Sequence, residues 1–121
     1  MAGHSGLELF TDRRAKCVAP ISDVIDFLMT VAANAGCDVK PPAYEVGGNG
    51  PKYANPGGQF CTLHLRTTTA HVWVWLYGVD RVEVIADGFE ASKQEDWYKV
   101  RTMPEAVRLV KWIVAAHAKR A

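Results

Sequence analysis

The sequence predicts an α+β domain, an antiparallel meander of about four strands with two helices packed on one face, in the order α-β-β-β-β-α. Three observations lead there. Apolar residues recur at helical spacing near the N-terminus, several runs in the middle alternate with period two, and a second amphipathic pattern follows a capping signature near the C-terminus. The 121 residues, 49% of them hydrophobic, are enough for one compact core, so a single domain over 1–121 is expected.

The first helix starts at about Pro20. Ser22 is placed to cap it, and Asp23 and Asp26 suit the positive end of its dipole. Ile21, Ile25, Leu28, Ala32 and Ala35 share one face, Val24, Phe27 and Val31 add a second stripe, and Gly36 is the expected C-terminal stop. Ahead of it, Leu7, Leu9 and Phe10 read as a short strand or lead-in. The stretch 38–58 holds five glycines and four prolines, which rule out a helix and leave room for a short strand at Ala43–Val46 at most. It is read as a long loop whose Tyr44, Lys52 and Tyr53 either cover a site or merely connect. Its GGNG run lacks the spacing and the strand-to-helix context of a phosphate loop.

Strict alternation begins at Gln59. Cys61, Leu63 and Leu65 lie on one side of a strand, and Phe60, Thr62, His64 and Arg66 on the other. The next run, Ala70–Tyr77, splits into Val72, Val74 and Leu76 against His71, Trp73, Trp75 and Tyr77. With Thr68 and Thr69 as the turn, Leu65 faces Val72, Leu63 faces Val74 and Cys61 faces Leu76, which gathers every aliphatic residue on one surface. A third strand is read over Arg81–Asp87. A three-residue turn at Gly78–Asp80 sets Val82, Val84 and Ala86 beside the aliphatic set, with Arg81 opposite Tyr77, Glu83 opposite Trp75, Ile85 opposite Trp73 and Asp87 opposite His71. WYKVR at 97–101 supplies a fourth strand with Tyr98 and Val100 inward. Thr102 to Glu105 then forms a TxxE capping box before a helix to about Lys119, whose apolar side is read as Val107, Val110, Ile113, Val114 and His117.

Two helices on the aliphatic face leave the other face bare, and that face carries large aromatic residues. A contiguous apolar patch beyond a few hundred Å² is rare on a monomer, so the face calls for a cover. The expected function is a non-enzymatic interaction module in which Phe60, His64, Arg66, Trp73, Trp75, Tyr77, Arg81 and Glu83 engage a protein partner or a second copy of the chain as a homodimer, because tryptophan and tyrosine pair large contact area with a polar handle. The alternative is a small-molecule pocket under the 38–58 loop, with His71 and Asp87 as a catalytic acid–base pair in which the carboxylate raises the basicity of the imidazole. Cys61 and His64 are excluded as a nucleophilic dyad, because an odd separation puts them on opposite faces of one strand.

Other function classes fall away on composition. Fourteen basic against thirteen acidic residues leave a net charge of +1, which makes nucleic acid an unlikely partner. Apolar runs are too short for a membrane span, no secretory signal is visible, and the cytoplasm is the expected location. Three cysteines without a CxxC pair read as buried thiols, and neither a metal nor a cofactor is expected.

Overall fold

The computed structural model describes residues 11, 14–17, 19–35, 43–44, 50–55, 57–65, 71–93 and 96–120. Among these, three helices and six strands follow one another as α1 (Ala19–Ala33), β1 (Ala43–Tyr44), β2 (Pro51–Asn55), β3 (Gly58–Leu65), β4 (Val72–Leu76), α2 (Arg81–Ala86), β5 (Glu90–Ala91), β6 (Trp97–Val100) and α3 (Met103–Lys119). The strands form one antiparallel sheet in the order β1-β2-β3-β4-β6-β5. The domain is therefore α+β as expected, but its element order departs from the simple meander with two helices.

The β3–β4 hairpin has the register that its residues dictate. Cys61 pairs with Leu76, Leu63 with Val74 and Leu65 with Val72. All six are fully buried beneath α1 and α3, because any slip of one residue would send the whole aliphatic set to the opposite face. The turn at 68–69, the strand read at Leu7–Phe10 and the stop at Gly36 lie outside the described residues.

The third strand is where expectation and structure part. Arg81–Ala86 is a helix, capped by Asp80, whose Oδ1 accepts from the backbone N–H of Val82 at 2.9 Å and of Glu83 at 3.3 Å. An aspartate cap satisfies two otherwise orphaned donors and sets Glu83 in the first turn, where the helix dipole favours it. Alternation in RVEVIA therefore yields to a local start signal. Val84 alone of this helix is buried, while Val82 is 75% and Ile85 45% exposed. The place beside β4 is taken by β6, with Val100 opposite Val72, Lys99 opposite Trp73, Tyr98 opposite Val74 and Trp97 opposite Trp75. The chain reaches it by running first through the edge strand β5 and then turning back.

The 38–58 stretch also holds more structure than a loop. Two strands lie within it, and Tyr53 of β2 is buried in the core rather than poised as a lid. Gly50 makes this approach feasible, because a Cβ there would stand 1.8 Å from the Leu63 carbonyl oxygen. Where β2 meets β3, Tyr53 pairs with Cys61 but Ala54 pairs with Gln59, so Phe60 is an extra residue in the ladder. Such a bulge breaks the alternation and lets neighbouring side chains share a face. Phe60 is consequently fully buried, edge-on to His117 of α3 at 5.2 Å between ring centres.

Both long helices cover the aliphatic face. In α1, Ile21, Val24, Ile25, Leu28 and Ala32 are buried, much as their spacing implies, although the helix begins at Ala19 and holds Ser22 within its first turn. The seam of α3 is rotated from the expected one. Ala106, Leu109, Ile113 and Ala116 face inward, while Val107 and Val114 are exposed. The two alanines let the helix lie close to the sheet, which a stripe of branched residues would hold away. Its start is as expected, with Thr102 Oγ accepting from the Glu105 N–H at 3.3 Å and the Glu105 carboxylate accepting from the Arg101 N–H at 2.8 Å. No helix among the described residues is long and apolar enough to cross a membrane.

Candidate functional site

The face of the sheet away from α1 and α3 takes its character from alternate residues of three adjacent strands. β3 contributes His64, β4 contributes Trp73 and Trp75, and β6 contributes Trp97 and Lys99. The indole of Trp97 leans across β4 to meet the His64 ring edge-on, with 5.9 Å between centres. His64, Trp73 and Trp97, joined by Ser92 just beyond β5, line an open groove of about 370 Å³.

Its far wall is held by backbone and by charge. The N–H of Ser92 donates to the Trp97 carbonyl at 2.9 Å, closing the β5–β6 connection. The Arg81 guanidinium donates to the Ser92 carbonyl, so the first residue of α2 braces the same wall from behind. The Lys99 ammonium lies 5.2 Å from the centre of the Trp73 ring and 2.9 Å from Glu90. Glu90 also pairs with Arg101, and these two cations hold its carboxyl below the ordinary carboxylate value, the bond to Lys99 contributing most.

The binding surface read from the sequence is broken up by this architecture. Of its eight residues, His64, Trp73 and Trp75 stand on the open face, with the Tyr77 ring 6.3 Å from that of Trp75. Phe60 belongs to the core because of the bulge. Tyr77 is stacked beneath the Arg120 guanidinium at 3.4 Å, and that group also donates to the carbonyls of Gln59 and Gly57 at 3.1 and 3.2 Å. Arg81 and Glu83 sit on a helix rather than on the sheet, and Arg66 lies outside the described residues. An aromatic platform with an Arg81–Glu83 rim is thus not formed, and the protein-partner or homodimer role that rested on it is not retained.

The acid–base pair fails for a related reason. His71 precedes β4 with its ring edge-on to Trp73 at 5.7 Å. Asp87, which would have met it across a third strand, instead caps the end of α2. Its carboxylate accepts from the Trp112 indole at 3.0 Å and pairs with Lys111 at 3.1 Å, and these contacts with α3 lower its pKa, the indole bond most strongly. Among the described residues, no group of three or more His, Cys, Asp or Glu side chains is arranged to hold a metal ion. The Cys61 thiol lies in the core, where burial pushes its pKa to about 12 and removes it as a nucleophile at neutral pH.

Two residues of the groove, Ser92 and Trp97, went unread as site residues. The signal for Trp97 was present in its alternation with Tyr98 and Val100, which sends it to the face opposite the core. Ser92 carried none, because its position depends on β5 pairing with β6. No family model matches the chain, and no curated protein or solved structure matches it either.

Proposed function

We propose that this domain binds a small molecule in the groove between Trp73 and Trp97. The observation that carries the reading is the groove itself, an open concavity of about 370 Å³ lined by two indoles from neighbouring strands, His64 and Ser92. Ligand sites combine mostly apolar and aromatic walls with a few placed polar groups, and both are present here. This site differs in place and composition from a pocket beneath 38–58, and in kind of occupant from a protein-docking platform.

Indole N–H resonances provide the test, since Trp112 is a built-in reference. Its indole, on α3, is already bonded to Asp87 and does not line the groove. With a set of aromatic-ring and sugar-ring fragments at millimolar concentration, at least one is expected to shift the Trp73 and Trp97 resonances and leave Trp112 in place, and Trp97→Ala is expected to abolish binding. Fragments that shift only other regions, or that bind Trp97→Ala unchanged, would overturn the assignment.

A further inference from the structure

Apart from the groove, a second constellation of groups gathers at the end of α3. We propose that the carbonyl oxygens of Gly57 and Gln59 and the ring of Tyr77 form a binding site for a guanidinium group, which the chain fills with its own Arg120 as a reversible clasp on α3. The Arg120 guanidinium lies 3.4 Å from the centre of the Tyr77 ring, while its Nε donates to the Gln59 carbonyl at 3.1 Å and its Nη1 to the Gly57 carbonyl at 3.2 Å. A flat fork of donors meets two carbonyls and lies on an aromatic face at the same time. An ammonium, a compact charge on a flexible stem, cannot satisfy that geometry.

The backbone is shaped around this occupant. The Gly57 N–H donates to the Arg120 carbonyl at 3.0 Å, and a Cβ at Gly57 would stand 2.3 Å from that oxygen, so any side chain there would push the helix end away. The Arg120 N–H donates to the His117 carbonyl at 3.0 Å, and the His117 ring meets Phe60 edge-on at 5.2 Å. The Tyr77 N–H in turn donates to the Phe60 carbonyl at 3.0 Å, which holds the Tyr77 backbone against β3. These contacts close a circuit through α3, β3 and the residue that follows β4, and none of its members lines the groove. Because each contact fixes the geometry of the next, the circuit opens and closes as a unit, at lower cost than the core beneath it. A site that recognises a guanidinium within the chain takes the same group from solution once Arg120 has left it.

Methylguanidinium is the probe, used at millimolar concentration, far below its denaturing range. In Arg120→Ala it is expected to return the Tyr77 ring and Gly57 amide resonances saturably toward their wild-type positions, and to slow exchange of the Gly57 amide about tenfold, as regained charge-assisted hydrogen bonds imply. Methylammonium or sodium chloride at the same ionic strength is expected to change neither, and in the wild type, whose site is filled, methylguanidinium is expected to shift neither resonance. An unshifted Trp112 indole resonance confirms that the variant is folded. Exchange in the wild type tests the clasp without any variant. The Nε proton of Arg120 is expected to exchange about tenfold or more slowly than that of free arginine, and the Gly57 and Arg120 amides at one common rate. An Arg120→Ala protein indifferent to methylguanidinium, or equally responsive to methylammonium, would overturn the guanidinium site. An Arg120 Nε proton exchanging as fast as in free arginine, or separate rates at Gly57 and Arg120, would overturn the clasp.

Discussion

Tyr98 is the residue at which the core carries an unresolved polar group. Its side chain is fully buried opposite Val74, and its hydroxyl has no hydrogen-bond partner among the described residues. Burial, reinforced by the negative charges of Asp96 and Asp80, pushes its pKa from 10.0 to about 12. Up to the ordinary value the phenol is protonated in both folded and unfolded chains, so nothing changes with pH. Between that value and about 12 the unfolded chain gives up its proton and the folded one keeps it, so stability falls as pH rises. Tyr98→Phe is expected to raise stability near neutrality by about 1 kcal/mol, by removing an unsatisfied hydroxyl, and to flatten the alkaline decline. Urea denaturation at several pH values checks both. Inwardness was legible at this residue from the alternation of WYKVR. The unpartnered hydroxyl was not, because it depends on which elements close over the strand.

At the scale of elements, what could be read depended on whether the deciding contacts were local. The β3–β4 pairing follows from matching two alternating runs across a short turn, and the start of α3 follows from Thr102 and Glu105. Arg81–Ala86 carries two competing signals, period-two alternation over six residues and an aspartate three residues before a glutamate in D-R-V-E, and the cap at Asp80 wins. Phe60 was misplaced because its bulge requires β2, and β2 was concealed in a stretch rich in glycine and proline. The Phe60→Ala variant distinguishes the two placements by thermal or urea unfolding. A side chain on an open face would cost within about 0.5 kcal/mol, whereas removal from beneath His117 is expected to cost about 3 to 5 kcal/mol.

For the molecule as a whole, topology was the least legible level, since it turned on one substitution of partners. Once Arg81–Ala86 forms a helix, the edge of β4 away from β3 is open, and β6 fills it after the chain has detoured through β5. That exchange brings Trp97 within reach of His64 and creates the groove, so the candidate site was as hidden as the crossover that builds it. The same arrangement governs how the chain emerges during synthesis. The final helix supplies Leu109, Ile113 and Ala116 to the core, and Arg120 reaches back 61 positions to Gln59. A nascent chain released as far as β6 has α1 and the strands but lacks α3, so Leu63, Val74 and Leu76 stay incompletely covered and closure must wait for residues 103–120. In a translation-arrest experiment the folding force is therefore expected to appear as a single late peak once Arg120 clears the ribosomal tunnel, with none at lengths that release β6 alone.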